Sequence, residues 1–166
     1  MSQDPQSPSL DDIVKGELSS YYRHLAKRVE TAVRAVPQEK LWVKPYDYGN
    51  SLGHLLLHLT GNLNHYVGSL VAGTGYVRDR EFEFTDPTQH SGEHLLQGFH
   101  AAVDMVLATI AEQDDGSWGL AVSGQPPIET RFGLLLVCAA HLNNHIGQMA
   151  YLVRELGHDT NEPPIW

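Results

Sequence analysis

The chain predicts an all-α domain, a four-helix bundle, on three observations. Four long segments carry apolar residues at helical spacing, no series of alternating strands interrupts them, and turn-rich stretches separate them. Residues 1–8 read as a polar lead expected to be disordered. Residues 9–166 read as a single domain, because a chain of 166 residues can bury one proper core.

The first helix is expected to start at Ser9, a side-chain cap with Asp12 three residues on. Its inner stripe reads Ile13, Leu18, Tyr21, Leu25, Val29, Ala32 and Val36, and Pro37 stops it near Ala35. Leu41 to Asn50, with Trp42, Pro45, Tyr46 and Tyr48, reads as an ordered aromatic loop. Asn50 or Ser51 then caps a second helix reaching about Val71, with Leu52, Leu55, Leu56, Leu59, Leu63 and Tyr66 on its apolar side. Ala72 to Ser91 is a long connection in which Phe82 and Phe84 alternate with acidic residues, consistent with a short extended piece. Its charged run Arg78-Asp79-Arg80-Glu81 reads most simply as a solvated face. Ser91 opens the third long helix, and Asp114-Asp115-Gly116 stops it. The loop Ser117 to Glu129 leaves room for a brief strand at Leu120 to Val122. Thr130 opens the last helix, which ends near Leu156 with Gly157 as its cap. The tail ending at Trp166 is expected to dock on the body.

Composition excludes several classes. Eleven Lys and Arg stand against 20 Asp and Glu, a formal net charge of -9, with the basic residues scattered, so no nucleic-acid footprint exists. The single cysteine, Cys138, rules out an internal disulfide framework and fits a reducing compartment. It reads as ordinary core rather than as a ligand. Met1 to Pro8 has neither the basic start nor the apolar run of a targeting segment, and no wholly apolar stretch approaches a bilayer span. The expectation is a cytoplasmic protein without membrane contact.

Ten histidines point to metal chemistry. His141 and His145 are four apart on the last helix, hence on one face and one turn apart, where they can converge on one ion. They share a side with Leu134, Val137, Gln148 and Leu152, so the pair is expected to point into the core. Two hydrogen-bonded core histidines are the competing reading for the isolated pair. The second helix adds a polar stripe, His54, His58, Asn62 and His65. His54, His58 or His65 could supply a third ligand, and His58, mid-helix beside the apolar stripe, is best placed. Asn62, His65 and Gln148 could line the pocket or orient the ligands. No acidic residue stands out as a general base, and the catalytic residues stay unassigned.

The run Ser51-Leu52-Gly53-His54-Leu55-Leu56-Leu57-His58-Leu59, followed by His141-Leu-Asn-Asn-His145-Ile-Gly-Gln148, resembles the DinB/YfiT-like superfamily over almost the whole chain. The loop holding Trp42, Lys44 and Pro45 agrees with that pattern. The resemblance implies an up-down-down-up bundle with residues 72–91 as the crossover, a divalent metal (zinc or nickel) on His58, His141 and His145, and a homodimer. Characterised relatives include metal-dependent transferases of low-molecular-weight thiols and a maleylpyruvate isomerase. The function expected is therefore a metal-dependent enzyme of the thiol S-transferase type acting on a small molecule. A non-catalytic metal-binding stress or sensor protein, a metal-dependent hydrolase and an isomerase are the alternatives.

Overall fold

The computed structural model describes residues 7–123 and 127–157. Its elements are α1 (Leu10–Arg34), α2 (Leu52–Leu63), a short α3 (Phe82–Thr85), α4 (Gly92–Ala111) and α5 (Arg131–Leu156). Directly after α2 the chain continues as a π-helical segment, Asn64–Ser69. The four long helices form the bundle, and among the described residues β structure is limited to one bridge, Ala121 to Thr130. That bridge is all that forms of the strand expected at Leu120 to Val122. The tail after Gly157, and the lead as far as residue 6, lie outside the described residues.

Each long helix begins where a hydroxyl side chain can satisfy its free amides. Ser9 Oγ accepts from the Asp12 amide at 3.0 Å while Asp12 reaches back to the Ser9 amide at 3.3 Å, a reciprocal capping box. Ser51, Ser91 and Thr130 cap α2, α4 and α5 in the same sense. Gly157 ends α5 with an extended, not left-handed, backbone. A Cβ there would lie 2.4 Å from the Val153 carbonyl oxygen and 3.2 Å from that of Ala35, so close approach is what excludes a side chain.

The helix directions follow from which ends meet. Trp118 Nε1 donates to Asp11 at 2.7 Å, bringing the start of α1 beside the loop that leads from α4 into α5. The Gly92 amide donates to Gln38 at 2.8 Å, and Gly157 abuts Ala35, so the end of α1 meets the start of α4 and the end of α5. The Gly53 amide donates to the Leu41 carbonyl, and Trp42 Nε1 donates to the His90 carbonyl, both at 3.0 Å, which puts the start of α2 beside the start of α4. The course is up, down, down, up, with residues 70–91 crossing from the end of α2 to the start of the parallel α4.

The core is a continuous set of buried Leu, Val, Ile and Ala with Tyr22, Phe99 and Met149, each large apolar side chain contributing roughly 1.5–3 kcal/mol by leaving water. Tyr22, fully buried, donates to the Leu135 carbonyl at 2.7 Å and ties α1 to α5. The expected inner stripe of α1 is corrected here. Ile13 and Tyr21 are exposed, and Tyr22 takes the inner place because its hydroxyl finds a partner across the bundle. On α5 the correction is larger. Its buried face runs through Leu135, Cys138, Ala139, Leu142, Ile146 and Met149; of the expected stripe Leu134 and Leu152 are buried, while Val137 and Gln148 are exposed. This second stripe is the more apolar of the two and wins the core, leaving His141 and His145 half-buried on its flank.

Gly92–Ala111 is, by length and composition alone, apolar enough to cross a membrane. Here it is α4, whose Leu95, Leu96, Phe99, Val103, Val106 and Ile110 are buried in the bundle against its neighbours.

Candidate metal centre

His58 lies on α2, buried, and faces α5 across the bundle. Its Nε2 stands 3.0 Å from Nε2 of His141, and its ring centroid is 4.9 Å from that of His145. One ring nitrogen from each of the three histidines falls within 4.8 Å of the other two. The structure thus brings together the three histidines expected as ligands.

The other side of each ring determines which nitrogen is offered. His58 Nδ1 lies 2.9 Å from Glu83 Oε2. A carboxylate can only accept, so Nδ1 carries the proton and Nε2 keeps its lone pair toward His141. His145 Nδ1 pairs with Gln148 Oε1 at 3.0 Å, again as donor to an oxygen, which leaves its own Nε2 bare. Across the 3.0 Å gap, His141 Nε2 can either donate a proton to the bare His58 Nε2 or, with its own lone pair, face a shared cation beside it. This donor set of neutral imidazoles fits a divalent metal ion.

Glu83 comes from α3 in the crossover and is nearly as buried as the histidine it holds. Arg78 clamps it through Nε to Oε1 at 2.6 Å and Nη2 to Oε2 at 2.8 Å, while Nη2 also sits 3.2 Å from His58 Nδ1. This is a bidentate ion pair shielded from water, the geometry in which such pairs are strongest. Arg78 stacks over the Tyr66 ring at 5.8 Å, and Phe84 covers the outer face of His58. Gly61 makes room for the carboxylate. A Cβ on Gly61 would lie 2.1 Å from Glu83 Oε1 and 2.9 Å from its carboxyl carbon. The extended piece expected for this stretch is therefore corrected: Phe82 to Thr85 is a helical turn that delivers a buried carboxylate to a histidine, while of the charged run Asp79, Arg80 and Glu81 are exposed as expected and Arg78 alone turns inward. Sequence reasoning missed both Arg78 and Glu83. The available signal was Gly61, a glycine inside an apolar helix three residues after His58.

Burial holds all three histidines neutral. It pushes His141 down to about 4, aided by the neighbouring rings of His145 and His58. His58 is lowered first by burial, against the opposing pull of Glu83, and His145 is lowered by burial against its bond to Gln148. Neutral rings are the ligand form, so no proton need be removed at neutral pH. Burial pushes the Cys138 thiol up to about 12, and it stays outside the cluster as a core thiol.

The remaining members of the α2 stripe divide. His54, one turn before His58, is turned the other way: its Nδ1 lies 2.6 Å from Ser51 Oγ and its ring meets Trp42 edge-on. His65 packs against Tyr66 with its Nδ1 buried and unpartnered, also outside the cluster. Asn62 lines a cleft of about 190 Å³ together with Tyr66, Ile128, Leu134, Val137, Cys138 and His141, so one histidine of the cluster opens onto space a small molecule could occupy.

Residues 13–162 match the model of a family described as "Protein of unknown function (DUF1572)". The chain belongs to that family. Among solved structures, a DinB-like protein from Bacillus cereus ATCC 10987 is similar with a TM-score of 0.67 and 16% identity, over 84% of this chain and 91% of that one. At that identity the likeness shows a shared DinB-like fold. A search of curated proteins finds no match.

Proposed function

We propose that His58, His141 and His145 hold a divalent metal ion, zinc or nickel, and that the protein is a metal-dependent enzyme of the thiol S-transferase type. The observation that carries the reading is the convergence of three imidazoles, two of them (His58 and His145) with the outer nitrogen already engaged, beside an open cleft. Three protein ligands with space left over are the pattern of catalytic sites, whereas structural sites close all their positions with side chains. A bound ion would supply a Lewis acid that lowers the pKa of a thiol or of water at neutral pH.

The chain's own residues do the rest. Glu83 and Arg78 fix the His58 ring and its tautomer, and Gln148 does the same for His145. Glu83 has both oxygens engaged and does not line the cleft, so it orients His58 rather than acting as a base. A thiol entering the cleft gives its proton to solvent. The sulfur then forms the new bond to an electrophilic carbon, whose leaving group departs with the bonding pair. The choice of a thiol over water rests on the resemblance of the histidine motifs to the DinB/YfiT-like superfamily, and the expected homodimer belongs to the same proposal.

Two measurements test it. Metal content of protein purified under metal-replete conditions should be stoichiometric, and His141→Ala should lose it. Absence of bound metal in the wild type sinks the site. A panel of low-molecular-weight thiols and electrophiles, with and without chelator, should show turnover that the chelator abolishes. Chelator-sensitive hydrolysis with no thiol dependence would replace the transferase with a hydrolase, and no turnover would favour a metal-binding stress or sensor role. Sedimentation reads the dimer.

A further inference from the structure

The cleft beside His141 has a definite chemical character. Its described lining holds no Asp, Glu, Lys or Arg. One wall is aliphatic, from Ile128, Leu134 and Val137, and the other is set by Asn62 and Tyr66. The nearest cation, Arg78, lies over the Tyr66 ring and is committed to the Glu83 carboxylate, so its charge is already balanced.

Asn62 is the unusual member. It is 6% exposed, yet its side-chain amide has no hydrogen-bond partner among the described residues. The amide is not among the fully enclosed polar atoms without a partner, so it faces the cleft it lines, where a ligand can pair with it. The amide stands one helical turn beyond His58 on α2, on the same helix edge as the histidine cluster. The space beside it, about 190 Å³, slightly exceeds the roughly 150 Å³ cavity that accepts benzene in a protein core. Where the helix continues to Tyr66 it is π-helical, a widening that recurs at functional sites because it re-aims a side chain.

We infer that Asn62 is a substrate-binding residue and that the cleft takes the uncharged end of a small amphipathic molecule. That end is about the size of a monosubstituted ring, with a carbonyl or carboxamide paired to Asn62 and its apolar part against Val137 and Leu134. This deepens the function proposed above, on which it rests only for placing the reacting end of the molecule at the histidines. An uncharged substituent is required because a carboxylate would enter an uncharged cleft with no described cation to receive it. A purely apolar ligand would leave the Asn62 amide unpaired and out of water.

The test uses benzamide, toluene and benzoate as probes. They are titrated into the full chain and followed by amide chemical shifts, first in metal-stripped protein and then, for the two neutral probes, in protein loaded with zinc. Benzamide should perturb α2 and α5 around the cleft and bind about fivefold or more tightly than toluene or benzoate, the scale of one hydrogen bond. Asn62→Leu should reverse the preference so that toluene binds better than benzamide. Val137→Trp, at a half-exposed rim position that tolerates a large side chain, should block all three probes while the spectrum elsewhere stays folded. Benzoate binding as tightly as benzamide would overturn the inference, as would an unchanged benzamide preference in Asn62→Leu. If Asn62→Leu fails to fold, benzamide still binding the Val137→Trp protein at the same site overturns it. Zinc uptake is read separately, so loss of the metal reading with benzamide selectivity retained is distinguishable from loss of the cleft.

Discussion

His54 and His58 occupy successive turns of one helix edge, and both are almost wholly buried, yet they have opposite roles. His54 is 2.6 Å from the Ser51 hydroxyl that caps the helix and lies against Trp42, so its neighbours are a cap and a loop. His58 faces two histidines of α5 and is held from behind by a carboxylate. Residue type, helix face and burial are the same at the two positions. What differs is the element opposite, and that alone makes one ring structural and the other a candidate ligand.

The comparison is broken most severely by deleting a converging ring. His58→Ala or His141→Ala should lose stoichiometric metal on dialysis, while His54→Ala should keep it and lose only stability. Equal metal loss in all three, read by elemental analysis of the folded variants, would erase the distinction. Next in size is the support behind His58. Glu83→Gln should weaken metal binding by about 10–100-fold, the usual cost of removing the partner of a metal-ligating histidine. Gly61→Ala should do at least as much, because its Cβ would lie 2.1 Å from Glu83 Oε1 and displace the carboxylate. Competition against a chromogenic chelator measures both, and a wild-type affinity in Gly61→Ala would show that Glu83 does not govern the ring.

A smaller effect concerns pH in the metal-free protein. The three histidines are lowered in the fold, His141 to about 4, while in the unfolded chain they titrate near 6.5. Between those values the unfolded state binds more protons, so stability is fully present above about pH 6.5 and falls as pH drops toward 4. Urea denaturation at pH 7.5 and pH 5 should show that loss, and His141→Asn should reduce it. A wild-type stability that is flat or rises on acidification contradicts the burial of these rings. The smallest expected effect is at the other member of the pair. Ser51→Ala should cost about 1 kcal/mol, as for a lost helix cap, with metal affinity unchanged. A drop in metal affinity there would mean that His54 and His58 act as one unit.

Much of the bundle was legible because helix signals are local. Ser9, Ser51, Ser91 and Thr130 stand where a hydroxyl can satisfy the first free amides, and Pro37 stands where a helix cannot continue. The three histidines could also be picked out, since four-residue spacing places His141 and His145 side by side whatever the fold. Phase was harder. Tyr21 and Tyr22 both fit a helical stripe, and only the Leu135 carbonyl on another helix selects Tyr22. On α5 two overlapping stripes compete, and the packing of α1 against that helix settles which one is buried.

By itself, then, the sequence determined the helices, their caps and the three imidazoles, all of which depend on neighbours within a few residues. The tertiary structure decided which histidine of α2 meets α5, that Glu83 reaches His58 from 25 residues away, and that Arg78 and Gly61 make its seat. A run of alternating charges has the same local pattern whether it faces water or a buried ring. Only the path of the crossover between two parallel helices distinguishes them, and that path is a property of the packed bundle.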